Sequence, residues 1–341
     1  MTTFLHDGDL AGLVDLGELI DTVRTLHVDL SLGYATQPVP TIIDTAPSTV
    51  LLPMIATSHR LGLTAIKILT DAQDNGPSDG PVQQSTVILL DAATGTRLAV
   101  LAGGTCTRMR TAATSAVATD ALARTDSRVL GLIGAGPLAV EHVAALRRVR
   151  PLDTVVVWSR TPERIRSFRD ALGQRDTIDG TAPLELVVAA DALGVVGAAD
   201  VLCTLTPARE PVIRGEWLRP GLHVNAVGAP PRPDHREIDS AGMARATVIV
   251  DSTEVQLRKS GEVLLSLRDG TTSEQDFQCE LGDVLAGLAT ARTDPSQITL
   301  FNSVGLALQD LAFAALVTGR AGHTTPPPTL ASGQEARPAA L

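Results

Sequence analysis

An α/β fold with a Rossmann-type parallel sheet is predicted by three observations. Residues 128–161 read RVLGLIGAGPLAVEHVAALRRVRPLDTVVVWSRT, a strand, a glycine turn, a helix and a second strand. Short apolar runs separated by polar or helical segments then continue to Asp251, the alternation expected of parallel strands joined by crossovers. The preceding stretch alternates strand-like runs with turn signals.

From the start of the chain, residues 9–31 carry Leu13, Leu16, Ile20, Val23 and Leu26 at three- and four-residue steps, which predicts a helix. Ser48 to Ile55 and Leu63 to Leu69 are candidate strands, and Asp71 to Pro81 a loop by its Asn-Gly, Gly-Pro and Asp-Gly pairs. Ser85 to Asp91, the turn Ala92–Gly95 and Leu98–Ala102 predict a hairpin, followed by an alanine-rich helix over Arg110 to Ala123. Val129–Ile133 and Val155–Trp158 are the first two strands of the parallel sheet, with a helix over Leu138–Leu146 between them. Leu184–Ala189, Val201–Thr204, His223–Val227 and Val248–Asp251 supply further strands. Pro295 to Leu300 reads as a link and Phe301 to Val317 as a last helix, with Val304, Leu308 and Leu311 on one face. From Gly322 the Pro-rich sequence has no apolar period, which predicts a disordered tail over 322–341.

The 341 residues suffice for two domains, and 44% apolar with 19% charged residues suits a globular chain with a sizeable core. Net charge of −10 and only 2% aromatics argue against nucleic acid and anionic membrane as partners. No apolar run is long enough to span a bilayer and the N-terminus lacks a signal-peptide pattern, so a cytoplasmic location is expected. Cys106, Cys203 and Cys279 are too scattered to suggest disulfides or a zinc site, and no metal cluster is expected.

The chemistry begins at Gly134, Gly136 and Ala139, a G-x-G-x-x-A turn between strand and helix. Gly134 permits the turn, Gly136 lets backbone approach a pyrophosphate, and Pro137 and Leu138 open the helix whose free N–H groups favour phosphate. Where an acidic residue would bind the ribose of NAD, the chain has Ser159, Arg160 and Thr161. A carboxylate there would repel a 2′-phosphate and an arginine can bind one, so NADP(H) is expected over NAD(H), which stays possible. Thr204, Thr206 and Val227 follow strands at the sheet edge that should border the cofactor. His142, in the first Rossmann helix, is expected at the surface.

In order along the chain, GLTAIKILT around Lys67, STVILLDAATGTRLAVL, RTAATSAVATDALA from Arg110, IGAGPLA, VNAVGAPPRPDHREID, DSTEVQLRKSGEVLL and ITLFNSVGLALQD resemble the ornithine cyclodeaminase/μ-crystallin family over nearly everything before the tail. VGA followed by RPD-x-RE and VDS-x-E brings it nearer the μ-crystallin, or ketimine reductase, branch. The resemblance implies a homodimer in which residues 1–125 and 300–320 form a substrate-binding and dimerisation domain and 126–299 the dinucleotide domain. It implies that Lys67 is the active-site lysine, that Arg110 lies near cofactor and substrate carboxylate, and that Ser303 lies near the nicotinamide; read alone, Ser303 is also a candidate helix N-cap. Asp310 and Glu237 match family residues and are read as structural.

Two departures stand out. The catalytic aspartate of the cyclodeaminases is replaced by Pro230, leaving Asp234 as the nearest carboxylate, and a second carboxylate-binding arginine is replaced by Pro40, leaving that role to Arg110 or Arg108. The expected activity is therefore NADPH-dependent reduction of an imine, a cyclic ketimine or α-imino acid, to the amine. Lys67 would be acidified by burial to protonate the nitrogen. Three alternatives remain open: a redox-neutral cyclodeaminase with bound NAD, an NADPH-regulated small-ligand binder of μ-crystallin type, and a dehydrogenase that forms secondary amines.

Overall fold

The structure is a computed structural model that describes residues 2–10, 12–72 and 82–320. The tail expected to be disordered and most of the Asp71–Pro81 loop lie outside the described residues. Asp71 and Ala72 belong instead to a strand.

The first part of the chain comprises β1 (Thr3–Leu5), α1 (Asp7–Leu10), α2 (Leu16–Ser31), β2 (Ala35–Thr36), β3 (Ile43–Ala46), β4 (Thr49–Ser58), β5 (Leu63–Ala72), β6 (Gln83–Asp91), β7 (Arg97–Ala102) and α3 (Gly103–Leu122). The helix expected over 9–31 is split in two. Asp15 accepts a hydrogen bond from the Glu18 N–H and starts α2 afresh, so Leu13 falls outside it and is exposed. The helix expected from Arg110 begins at Gly103, because glycine there permits contact with β6: a Cβ would lie 1.9 Å from the Ser85 hydroxyl. Strand order is β1-β7-β6-β5-β4-β2, with β3 on β4; only β1 runs parallel to its neighbour.

The second part comprises β8 (Val129–Ile133), α4 (Pro137–Leu146), β9 (Thr154–Trp158), α5 (Pro162–Asp179), β10 (Glu185–Val188), α6 (Ala192–Ala198), β11 (Val201–Thr204), β12 (His223–Ala226), α7 (Ser240–Arg245), β13 (Thr247–Val250), α8 (Thr253–Lys259), α9 (Gly261–Arg268), α10 (Leu281–Leu285), β14 (Thr299–Asn302) and finally α11 (Ala307–Val317). Its sheet is parallel throughout, in the order β10-β9-β8-β11-β12-β14-β13. The order reverses at β8 and β11, the crevice where doubly wound sheets bind ligands.

β14 corrects the expected link and last helix. Thr299 to Asn302 are buried between β12 and β13, and the helix starts only at Ala307. Apolar spacing through Phe301, Val304 and Leu308 continues the helical period backwards into a strand, so periodicity alone misplaces the junction. A boundary at 299/300 would cut β14, which belongs wholly to the second sheet.

The helix α11 returns to the first sheet and packs on β4, β5 and β6 together with α2 and α3. That return brings the end of the chain against β5, where the site is built.

Candidate active site

Register places Lys67 of β5 between Met54 of β4 and Val87 of β6, on the face covered by helices. Its side chain is 3% exposed. Burying an ammonium requires partners, and they come from two helices. Lys67 Nζ donates to Thr107 Oγ1 of α3 at 2.7 Å and to Asp310 Oδ1 of α11 at 3.0 Å. Arg110 Nε lies 3.4 Å from the same Oδ1. Two cations thus share one fully buried carboxylate.

Burial lowers the pKa of Lys67, and Asp310 partly restores it while Arg110 lowers it further. Burial alone would raise the pKa of Asp310, but the charges of Lys67 and Arg110 overcome it and hold the carboxyl below its ordinary range. Arg110 is oriented from the other side: Nη1 donates to Gln309 Oε1 at 2.6 Å, and the Gln309 amide donates to His27 Nε2 at 3.4 Å. Gly305, at φ +88°, lies against the guanidinium, with no room for a side chain.

Lys67, Thr107, Arg110 and Gly305 border a cavity of about 800 Å³ between the two sheets, lined also by Leu138, Val227, Gly228, Ser303 and Arg108. Gly134 has φ +109° and packs against the Leu205 carbonyl, as a sharp turn leaving β8 requires. Gly136 caps α4 without a side-chain bond, and a Cβ there would meet nothing. Open space before an uncapped helix N-terminus fits a pyrophosphate.

The structure places the other expected residues as follows. Thr204 is fully buried and gives its hydroxyl to Glu237, as Thr206 does, so the hydroxyl of Thr204 is turned into the protein rather than toward a cofactor. Ser303 is not an N-cap: it precedes α11 by several residues and donates to Asp251 Oδ2 at 2.6 Å. His142 is buried, not at the surface; it bonds Ser115 Oγ and the Leu138 carbonyl, each at 2.9 Å, joining α4 to α3. Arg160 and Thr161 are exposed at the end of β9 and start of α5, and the Ser159 hydroxyl accepts from the Thr161 N–H. Pro230 lines the cavity, whereas Asp234 is 64% exposed and turned to His235. Arg108 lines the cavity with Nη2 donating to Thr105 Oγ1 at 2.8 Å. Pro40 is buried.

Asp310, expected to be structural, is the shared counter-charge of Lys67 and Arg110. The signal was an aspartate inside the apolar run LALQDLAFAAL, since a buried carboxylate needs a cation. Also missed was the bidentate pair of Arg232 with Asp71, which ties the end of β5 to the loop after β12 at the cavity.

The ornithine cyclodeaminase/mu-crystallin family profile matches residues 2–325. This chain belongs to that family. It is 36% identical over 286 residues to the mouse ketimine reductase mu-crystallin, covering 84% of this chain and 85% of the relative. The Thermococcus litoralis Δ1-pyrroline-2-carboxylate reductase, solved with NADH and L-proline, superposes with a TM-score of 0.87 at 32% identity, covering 94% of this chain and 97% of that one. An archaeal alanine dehydrogenase dimer with bound NAD gives 0.85 at 29%, covering 94% and 96%. Lys67, Arg110 and Pro230 all line the cavity of this chain.

Proposed function

We propose that this protein is an oxidoreductase that reduces the C=N bond of a cyclic ketimine or α-imino acid, with NADPH preferred. The observation that carries the reading is Lys67: a buried, acidified ammonium held by Thr107 and Asp310 beside a cavity that reaches the carboxyl edge of a dinucleotide-type sheet. The relatives named as ketimine and pyrroline-2-carboxylate reductases support it.

A bound nicotinamide would supply hydride to the imine carbon. Gly134, Gly136 and the first turn of α4 would hold its pyrophosphate, with Val227 and Ser303 at the nicotinamide end. Lys67 Nζ donates a proton to the imine nitrogen, because an iminium accepts hydride far better than a neutral imine. Asp310 and Thr107 then hold the neutral amine in place until solvent returns a proton. Arg110, fixed by Gln309 and Asp310, offers a rigid positive group to a substrate carboxylate. Cyclodeamination is disfavoured, since Pro230 cannot take up a proton.

The NADPH preference rests on Arg160, which has no ion-pair partner among the described residues and no acidic residue beside it in its turn. A homodimer is supported by the face of the first sheet opposite Lys67, which is uncovered among the described residues. Ile55, Ile66, Ile88, Val100 and Phe4 form one apolar row across five strands, with Phe4 64% exposed. No helix among the described residues is long and apolar enough to cross a membrane.

The test is NADPH and NADH oxidation with cyclic imines that carry or lack a carboxylate. Turnover supports the reductase, and carboxylate dependence reports on Arg110. Absence of turnover with tight NADPH binding would favour a ligand-binding role or a larger, two-part substrate.

A further inference from the structure

We propose that Glu237 is a positioning residue for the dinucleotide: its carboxylate locks together the loops that follow β11 and β12, shaping the floor on which the cofactor lies. The inference rests on the cofactor reading above.

Glu237 is fully buried, and its two oxygens receive four donors. Oε1 accepts from the Thr206 N–H at 2.6 Å and the Thr206 hydroxyl at 2.7 Å. Oε2 accepts from the Thr204 hydroxyl and the Gly228 N–H, each at 2.8 Å. A carboxylate has about four lone-pair sites, so every one is filled, and each oxygen faces a backbone N–H that can only donate.

The loops so joined form the cavity wall. A Cβ at Gly228 would lie 2.1 Å from Thr206 N, and one at Gly134 would lie 3.0 Å from the Leu205 carbonyl oxygen. The Leu205–Thr206 segment is therefore sandwiched between the glycine turn after β8 and the Gly228 loop. Pro207, Val227 and Gly228 on those loops face the cavity. The anchor is itself rigid: the Glu237 carbonyl accepts from the N–H groups of Val212 and Ile213, and its own N–H donates to Glu262 Oε1 of α9 at 2.9 Å.

No cation pairs with Glu237 among the described residues. The titratable groups facing it are Glu262 from α9 and Cys203 from β11; Arg236 turns away to Ser240 and His235 to Asp234 and Arg232. Burial, with the charge of Glu262, raises its pKa to about 7. Protonation puts a donor where four donors already point and loosens the clamp, so dinucleotide affinity should fall as pH drops through neutrality.

The experiment is direct NADPH binding by nicotinamide fluorescence from pH 6 to 8.5, with melting of the dinucleotide-free protein alongside. In Glu237→Gln either amide orientation sets an NH2 against a backbone N–H. NADPH should bind about tenfold weaker at the alkaline end, and the pH step expected of the native protein should vanish. Thr204→Val removes one buried donor at nearly constant shape, which should move the midpoint of the step upward. A purely structural role would lower the melting temperature without moving that midpoint. Native affinity with a native pH step in Glu237→Gln overturns the inference; if that variant does not fold, an unmoved midpoint in Thr204→Val does so. Native protein that binds no dinucleotide overturns the cofactor reading and this inference with it, whereas tight binding without imine turnover leaves the clamp testable and removes only the reductase.

Discussion

Asp310→Asn isolates charge from shape at the centre of the site. The substitution keeps an oxygen able to accept from Lys67 Nζ at 3.0 Å but removes the negative charge shared with Arg110. Lys67 and Arg110, whose side chains are 3% and 7% exposed, would then be buried cations without a counter-charge. Breaking a buried pair in this way costs about 3–5 kcal/mol, or roughly 4–7 °C of melting temperature in a chain of this length. Lys67 can relieve part of the cost by losing its proton. Burial and Arg110 already lower its pKa while Asp310 raises it, so the variant should bring it lower still. The proton donor is then lost at a lower pH, and the alkaline limb of the pH–kcat profile for imine reduction should move down. Calorimetry and a pH profile read the two effects independently. A variant with the native melting temperature and an unmoved alkaline limb would refute the argument that Asp310 sustains the charge on Lys67.

Three further outcomes are expected. Lys67→Ala should reduce kcat for imine reduction by at least about a hundredfold with little change in NADPH affinity; a fully active variant removes Lys67 from the mechanism. Arg160→Asp should reverse the preference towards NADH, read as the ratio of kcat/KM for the two cofactors, and an unchanged ratio would discard the assignment of Arg160. Burial lowers the pKa of His27 and His142 to about 4 and of His223 to about 3, from 6.5. An unfolded histidine therefore takes up protons first, and stability is lost as pH falls from 6.5 towards 4, by about 3 kcal/mol for a shift of this size. Melting temperature should drop steeply over that range, and His142→Leu should make the drop shallower; a flat profile in the native protein contradicts the buried neutral state.

Local chemistry determined much of this protein. The turn at Gly134, the apolar runs of β8, β9, β11, β12 and β13, and the hairpin of β6 and β7 were legible because each depends on a few adjacent residues. Family resemblance picked out Lys67 and Arg110 because their surrounding motifs are contiguous. The limits fall where partners are distant. Lys67 and Asp310 are separated by 243 positions and meet only because α11 folds back onto β5. β14 was concealed because its apolar spacing merges with that of the following helix, and only insertion between β12 and β13 decides that its backbone bonds go to strands. Thr204 and Thr206 stood at the right edge of the sheet, but which way a hydroxyl turns was decided by Glu237, arriving from a loop that no period in the sequence places there. A charged side chain is buried only where partners from several elements converge, so tertiary structure alone decided how these polar groups are paired.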